Sequence, residues 1–348
     1  MMMKRLNVGP NRFPVFKIAR SKCLTLSGVR AGVALFLSCF YVLGMAQTGV
    51  AWPNKPVTLI VPNSAGGPSD LLARLVASKL SESIKVPVLV DNRPSNNGII
   101  AVEYVAKNAP SNGTVLLVSN SGTQTVNPSL YQKLPYDAQR DFAPITEAIA
   151  SGLVAVALPS FAPNSIRELV AFAKKNPHHL SFAIAGATGE IGVNLFEKQA
   201  RIEALNINYK GGTPAVFAVM SGDAHINLAN LSTVSQLVEG GKLKIIGVTS
   251  AKRDPLLPNV PTFAENDLEG YELEIWYGFH APAKTSSAMA MAYQKEIARI
   301  LQLPEIKDKL SAGGYTIVSS TPEAFEKRIQ ADLIKFRRII IDSKMPLQ

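Results

Sequence analysis

The stretch of sequence that decides the fold is residues 57–80, VTLIVPNSAGGPSDLLARLVASKL. Its first five residues are apolar or β-branched, which predicts a buried strand, and the apolar residues of its second half recur at helical spacing. The turn between the two contains Gly66 and Gly67. A strand that ends in such a turn and restarts as a helix directs unpaired N–H groups into one small space, which suits a carboxylate or phosphate. Many α/β folds have similar turns that bind nothing, so this segment alone leaves anion binding open.

The first 51 residues differ in composition from the rest of the chain. They contain seven basic residues and no acidic one, followed by an apolar run from Val33 to Leu43 and then small residues. This order predicts a secretory signal peptide over residues 1–51, cleaved near Ala46 or Ala51. An uncleaved anchor is the alternative, but the run is short for a span of about 20 residues. We therefore expect an exported, periplasmic protein.

Removing the leader changes the composition that matters for function. The net charge of +10 falls to about +3, because seven of the positive charges lie in the leader. A basic stripe for nucleic acid is therefore not indicated, and no nucleic-acid partner is expected. Both cysteines, Cys23 and Cys39, also lie in the leader. The mature chain thus has neither disulfides nor thiol chemistry and depends on a large apolar core.

Strand-like and helix-like segments alternate along the remaining chain, which predicts an α/β fold with parallel strands. After residues 57–61, strands are predicted at 86–90, 115–118, 154–158, 180–184, 226–228 and 244–249, and an extended stretch reaches 276–279. Helices are predicted at 99–107, 165–175, 190–200, 214–220, 233–240, 286–301 and 322–342. The length suits two domains, and the absence of a linker suggests strands that cross between them beside a cleft.

Catalysis is poorly supported by the sequence. No Gly-x-Ser-x-Gly elbow occurs, so acyl transfer lacks its usual nucleophile turn. The histidines, His178, His179, His225 and His280, form no His-x-x-x-His pair. No metal, no cofactor and no enzymatic activity are therefore predicted. His225 opens a short predicted strand, where a structural role is a better interpretation than a place in a cleft.

The sharpest enzymatic alternative is residues 186–192, GATGEIG, which follow a predicted strand and precede a helix. Such glycines can admit a dinucleotide pyrophosphate. The region about 20 residues further on, 206–210, lacks the acidic residue that would hold a ribose. The same turn suits a smaller anion better. Residues 209–214, YKGGTP, form a similar junction, whereas Trp276 and Tyr277 fit either a cleft wall or a packed core.

Six segments in order resemble the Bug-type extracytoplasmic solute receptors, the binding proteins of tripartite tricarboxylate transporters. They are WPNKPVTLIVP, AGGPSDLLARLVASKL, DNRP, NPSLYQKLPYDAQRDFAPIT, YKGGTPAV and GGKLKIIGVTSAKRDPLLPNVPTFAE. The resemblance runs from Trp52 to about Asp342. It implies a type II-like periplasmic binding protein of two α/β lobes, each a mainly parallel sheet flanked by helices, with a ligand cleft between them. Lobe 1 would comprise residues 52–150 and 277–348, and lobe 2 residues 151–276.

The resemblance also implies a carboxylate ligand held largely by backbone N–H groups, hydroxyls and water. The expected ligand-binding residues are Ser64, Ala65, Gly66, Gly67, Ser69, Asp70, Ser121, Thr123, Ala185, Gly186, Ala187, Thr188, Gly189, Tyr209, Asn230 and Trp276. The expected partners are a small organic acid and the membrane subunits of a transporter, with the receptor acting as a monomer. A receptor that signals to a membrane regulator is the alternative, and a dinucleotide-dependent enzyme is a more distant one.

The chain departs from the family pattern at several positions. Asn63, Ser64 and Ala65 stand where the family has apolar residues before the two glycines, and Glu190 falls near the usual histidine. His225 and Ala229 replace expected aspartates, and Asn230 matches the family. The resemblance implies that backbone groups hold the ligand's carboxylate, and this contact should survive these changes. The side chains expected at the other end of the ligand differ from those of the family.

Overall fold

The computed structural model describes residues 52–342, 345, 347 and 348. The predicted signal peptide over residues 1–51, with its cleavage near Ala46 or Ala51, lies outside the described residues. Within the described part, no helix has the length and apolar character needed to cross a membrane.

The described residues form two sheets flanked by helices. The strands are β1 (Val57–Val61), β2 (Val88–Asn92), β3 (Val115–Asn120), β4 (Phe142–Gly152), β5 (Val154–Ala157), β6 (Ser181–Ala185), β7 (Leu205–Tyr209), β8 (Ile226–Ala229), β9 (Lys244–Val248), β10 (Glu274–Pro282) and β11 (Thr316–Ile317). The helices are α1 (Pro68–Ile84), α2 (Ile99–Lys107), α3 (Asn127–Leu130), α4 (Ile166–Lys175), α5 (Gly186–Ala200), α6 (Gly212–Ser221), α7 (Leu231–Glu239), α8 (Ser287–Leu301), α9 (Pro304–Ala312) and α10 (Pro322–Asp342). A π-helical turn spans Gly122–Val126, and a 3₁₀ turn spans Asn96–Gly98.

The first sheet has six strands in the order β11-β4-β10-β3-β1-β2. β1 is parallel to β2 and β3, whereas β10 is antiparallel to β3 and β4, and β11 is antiparallel to β4. The apolar residues of β1 are buried, as expected for a strand covered on both faces.

The second sheet has five strands in the order β7-β6-β8-β5-β9. β6 is parallel to β7 and β8, and β5 is antiparallel to β8 and β9. Both sheets are therefore mixed, where mainly parallel sheets were expected. The antiparallel pairs arise where β4, β5 and β10 carry the chain between the sheets, because a strand that leaves or returns runs against its neighbours.

The chain passes from the first sheet to the second through Leu153, which alone separates β4 from β5. It returns in the segment between β9 and β10. The α/β architecture is confirmed. The lobe boundaries at residues 150 and 277 stay a prediction; the change of sheet occurs at Leu153, and β10 begins at Glu274.

Several elements differ from their predicted bounds. The helix expected from residue 190 begins at Gly186, so the predicted turn at 185–189 is mostly the first turn of α5. β4 was not predicted, because FAPITEAIASG contains a proline and a glutamate and shows no clean alternation, yet most of this strand is buried. α9 was also missed. α4 begins as predicted, since the Ser165 hydroxyl accepts the Glu168 N–H at its N-cap.

Candidate functional site

A cavity of about 80 Å³ lies between the two sheets, at the carboxyl ends of the parallel strands. One buried water needs about 10–15 Å³ in the same measure, so the space holds several connected waters or one small organic molecule. The side of the first sheet contributes Asn63, Ser64, Gly67, Pro68, Ser69, Ser95, Asn97, Gly98, Asn120, Gly122, Thr123, Ile275 and Tyr277. The side of the second contributes Leu153, Ala185, Gly186, Ala187, Thr188, Tyr209, Gly211, Gly212, Thr213, Leu228, Ala229, Asn230 and Thr233.

The turn after β1 is organised by Asp70. Its Oδ2 accepts the Gly66 N–H at 2.9 Å and the Arg74 Nε–H at 2.9 Å. Burial raises the pKa of Asp70, but the hydrogen bonds from Arg74, Gly66 and Asn92 outweigh it and hold the pKa below its ordinary value. The Gly66 N–H is thus already used within the turn. Gly67 is the N-cap of α1 and lines the cavity, so the helix N-terminus is what this turn presents to a ligand.

A second polar turn follows β3. The Thr123 N–H donates to Asn120 Oδ1 at 3.0 Å, and Asn120 Nδ2 donates to Asn63 Oδ1 at 3.1 Å. The turns after β1 and β3 are therefore joined side by side, as the parallel pairing of these strands requires. Gly122 begins the π-helical turn and faces Thr188, because a Cβ at Gly122 would lie 3.1 Å from Thr188 Oγ1.

The second sheet supplies three helix N-termini. α5 begins at Gly186, α6 at Gly212 and α7 at Leu231, each directly or closely after a strand of this sheet. Gly186 and Gly211 have φ values of +73° and +129°, which L-residues with a side chain rarely adopt. The left-handed backbone at these two glycines lets the chain leave each strand and turn directly into the next helix beside the cavity.

Asn230 is fixed at the far side of the cavity. Its Oδ1 accepts the hydroxyls of Tyr277 at 3.1 Å and Ser151 at 3.3 Å. Burial raises the pKa of Tyr277 well above its ordinary value, although the Asn230 contact opposes the shift. Tyr277 therefore remains a neutral hydroxyl at physiological pH and serves as a hydrogen-bond donor to Asn230.

The cavity wall is free of charge. Among the described residues that line it, none is acidic, basic or a histidine. Its positive character comes from the N-termini of α1, α5, α6 and α7, whose aligned N–H groups carry partial positive charge. A wall of this kind attracts an anion. Its hydroxyl groups, such as those of Ser64 and Ser69, have no histidine or charged side chain beside them among the described lining residues.

Ten of the predicted binding residues line the cavity. They are Ser64, Gly67, Ser69, Thr123, Ala185, Gly186, Ala187, Thr188, Tyr209 and Asn230. Five others lie in the same turns without lining it: Ala65, Gly66, Asp70, Ser121 and Gly189. Ser121 is fully buried and its hydroxyl lies 3.3 Å from that of Thr188, which connects the two sides of the cavity.

Trp276 is the one predicted residue that the structure places in the core away from the cavity. It is fully buried, donates its indole N–H to Asp332 Oδ2 at 2.7 Å and packs edge-on against Phe325 at 4.9 Å. Successive side chains of a strand point to opposite faces, so Tyr277 faces the cavity instead. The sequence indicated the pair but not which face each residue takes.

Several lining residues were not among the predicted ones, notably Asn63, Asn97 and Asn120. Asn63 departs from the family pattern, but the sequence does not show its hydrogen bond to Asn120. That bond spans 57 positions and forms because β1 pairs with β3. Asn97 has φ +49° and lies in the 3₁₀ turn before α2. Asparagine tolerates this left-handed conformation better than most residues, which is the sequence feature that could have marked the turn.

Glu190, which falls near the usual histidine of the family that the sequence resembles, lies one turn into α5 and outside the cavity lining. Its Oε1 accepts from Gln348 Nε2 at 2.8 Å. Burial raises the pKa of Glu190 above its ordinary value, although the hydrogen bonds from Gln348 and Asn97 oppose the shift.

The histidines do not assemble a catalytic or metal site in the described part of the chain. His225 bonds to Ser181, with Nδ1 2.7 Å from Oγ, and its ring lies 5.0 Å from that of Phe161. These contacts are structural and lie outside the cavity. No group of three potential metal ligands occurs among the described residues.

Residues 72–345 match the family described as "Tripartite tricarboxylate transporter family receptor". The chain belongs to this family. A Pseudomonas sp. (strain P51) protein, named "UPF0065 protein in tcbD-tcbE intergenic region", is 32% identical over 333 residues, covering 93% of this chain and 98% of that protein.

Two solved structures are similar to this receptor over most of its length. Rpa4515 of R. palustris, solved with adipate, has a TM-score of 0.81 and 29% identity, and the match covers 84% of this chain and 98% of that one. The periplasmic binding protein BugD has a TM-score of 0.81 and 28% identity over 85% of this chain and 100% of its own. The expected family and the two-sheet periplasmic binding protein fold are thereby confirmed.

Proposed function

We propose that this receptor captures a small organic acid between its two sheets and delivers it to the membrane subunits of a tripartite tricarboxylate-type transporter. The observation that carries the proposal is the cavity itself, since four helix N-termini meet there and no lining residue of the described chain is charged. Such a wall binds a carboxylate through N–H groups and dipoles. The similarity to a structure solved with adipate supports the same ligand class.

The size of the cavity favours this function over a dinucleotide-dependent enzyme. A volume of about 80 Å³ suits a small acid, whereas a nicotinamide dinucleotide needs a long crevice. The turn that suggested dinucleotide binding, at 186–192, is instead the start of α5, and three of its residues, Gly186, Ala187 and Thr188, line the cavity. The receptor acts without catalysis, and closure of the two sides on the ligand is what the transporter recognises.

A thermal-shift screen of the mature protein tests the ligand class. The ligands are mono-, di- and tricarboxylates, with NAD and NADP as the comparison. A carboxylate at 100 times its Kd should stabilise the protein by about 2.7 kcal/mol, a rise of several degrees in Tm. Stabilisation by a dinucleotide and by no carboxylate would contradict the proposal.

Export, assembly state and transport need separate tests. We propose cleavage near Ala46 or Ala51, which N-terminal sequencing of periplasmic protein checks, and a monomer, which light scattering checks. Uptake of the bound acid by cells that carry the receptor and its membrane subunits tests delivery. Normal uptake after deletion of the receptor would favour a signalling role.

A further inference from the structure

Glu190 joins the two sides of the cavity, although it lies outside the cavity lining. It belongs to α5, which follows β6 of the second sheet, and its Oε1 accepts from Gln348 Nε2 at 2.8 Å. The Asn97 side chain, in the 3₁₀ turn before α2, also hydrogen-bonds to this carboxylate. Both donors belong to the side of the first sheet, so one carboxylate of the second side is held by two amides of the first.

The two amide donors are themselves fixed on the first side. The Gln348 main-chain N–H donates to the Leu130 oxygen at 2.9 Å, and the Gln348 main-chain oxygen accepts the Gln132 N–H at 2.9 Å. Asn97 Nδ2 donates to the Tyr131 hydroxyl at 3.0 Å. Leu130 ends α3, so the end of this helix and the residues after it position both donors.

The charge of Glu190 makes this contact stronger than a hydrogen bond between neutral groups. Amide donors bind a carboxylate more tightly than a neutral oxygen, and a half-buried carboxylate needs such donors because burial removes water from it. When the two sides move apart, both amides leave Glu190 together. The energy of the contact therefore counts toward the closed arrangement of the two sides.

Asn97 connects this contact to the cavity wall. It lines the cavity, and its main-chain oxygen accepts Asn127 Nδ2 at 2.9 Å. Glu190 thus reaches the site through a residue that faces the bound molecule, without facing it directly.

We propose that Glu190 is a positioning residue that holds the two sides closed, through Gln348 and Asn97, and thereby slows release of the bound acid. The inference rests on the proposed function, because it concerns release from the same cavity. A group that acts only after closure changes the dissociation rate constant and leaves the association rate constant nearly unchanged.

Glu197 provides a matched comparison on the same helix. It is also a half-buried carboxylate of α5, and burial raises its pKa as it raises that of Glu190. It accepts the Ala204 N–H at 2.8 Å and Asn206 Nδ2 at 2.9 Å. Both of these donors belong to the side of the second sheet, so Glu197 stabilises one side without joining the two.

The test measures association and dissociation rate constants by surface plasmon resonance on the immobilised mature protein, with succinate, glutarate, adipate and citrate as the probes. Glu190→Ala should raise the dissociation rate constant about 10-fold or more and change the association rate constant less than about 2-fold. Glu197→Ala should lower Tm and leave both rate constants unchanged. An unchanged dissociation rate constant in Glu190→Ala, or an equal rise in Glu197→Ala, would overturn the inference and leave the proposed function intact. Failure of all four acids to bind the unaltered protein would overturn both.

Gln348 gives a second test that does not alter the buried part of the chain. Its side chain is exposed, and Gln348→Ala should raise the dissociation rate constant in the same direction as Glu190→Ala, by a smaller factor. The double variant should release the acid no faster than Glu190→Ala alone, because the two residues share one hydrogen bond. Multiplied effects in the double variant would show that the two residues act separately and would overturn the inference.

Discussion

Ser64 donates its hydroxyl hydrogen to the main-chain oxygen of Lys210 across the cavity, at 2.9 Å, although the two residues are 146 positions apart. Ser64 belongs to the turn after β1 of the first sheet, and Lys210 follows β7 of the second. Gly211 lies beside this contact, where a Cβ would be 3.4 Å from Ser64 Oγ. The hydroxyls of Ser121 and Thr188 form a second bridge at 3.3 Å. The two sides are thus joined directly by neutral hydrogen bonds as well as through any bound ligand.

Ser64→Ala should weaken ligand binding by about 2- to 12-fold. A neutral hydrogen bond contributes about 0.5–1.5 kcal/mol, and this bond forms only when the two sides meet. Calorimetry with the tightest-binding acid measures the change. Ser160→Ala, at an exposed serine outside the cavity, is the control and should leave Kd unchanged. Unchanged affinity in Ser64→Ala would mean that the Lys210 contact does not contribute to closure.

Gly67→Val should abolish binding with little effect on folding. Gly67 has φ −85° and ψ 174°, an ordinary extended conformation, and a Cβ would meet only the Ser64 main-chain oxygen at 3.4 Å. The backbone therefore accepts a side chain, but the added methyl groups enter the cavity and block approach to the α1 N-terminus.

A graded series provides the control for Gly67. Gly67→Ala should reduce affinity by less than the valine, while the unfolding free energies of both variants stay within about 1 kcal/mol of the unaltered protein. Denaturant unfolding and calorimetry on the same samples make the comparison. Full affinity in Gly67→Val would remove the α1 N-terminus from the site.

The strand–turn–helix at 57–80 could be predicted because its information is local. The apolar run defines β1, the spacing of leucines defines α1, and Gly67 and Pro68 mark the junction. The residues that the family resemblance implied for the site mostly lie at the ends of strands that pattern identifies: Ser64, Gly67 and Ser69 follow β1, and Thr123 follows β3. Tyr209 is an exception, because it ends β7, a strand that was not predicted.

The contacts that orient the site could not be predicted from the sequence. The bond between Asn63 and Asn120 depends on β1 pairing with β3, and no local pattern encodes which strands are neighbours. Trp276 and Tyr277 show the same limit. Alternation places them on opposite faces, but only the packing of α10, through Phe325 and Asp332, decides which face is core.

Trp276→Phe should lower stability without changing ligand affinity. The substitution removes the indole donor to Asp332, which then keeps its contact with Arg328 alone, 3.1 Å away. Loss of a hydrogen bond to a charged buried group, together with lost packing, should cost about 2–4 kcal/mol. Denaturant unfolding and calorimetry measure the two effects.

Trp52→Phe is the matched control for that substitution. Trp52 is partly buried against the ring of Tyr293, 5.1 Å away, and should lose less stability. Weaker ligand binding in Trp276→Phe at unchanged stability would instead place Trp276 in the site.

The buried histidine His280 should make the protein less stable as the pH falls. Its ring is fully buried, with Nδ1 2.7 Å from Ser119 Oγ, and burial lowers the pKa of His280 to about 3. The unfolded chain takes up a proton near pH 6.5, whereas the folded protein does not until about pH 3. The contribution of His280 to the free energy of unfolding is therefore fully present above pH 6.5 and is lost as the pH falls. The loss between pH 7 and pH 5 is about 2 kcal/mol.

His280→Phe should remove this part of the pH dependence. The phenyl ring suits an environment that already contains Phe142 and Phe325, and Ser119 keeps its hydrogen bond to the Gly278 oxygen. Urea unfolding is measured at pH 7 and at pH 5, and the midpoints are compared. Ordinary carboxylates titrate below this pH range, so their contribution to the change in stability is small. His178→Gln, at an exposed histidine, should retain the full slope. If His280→Phe lost as much stability between pH 7 and pH 5 as the unaltered protein, His280 would not be the source of this pH dependence.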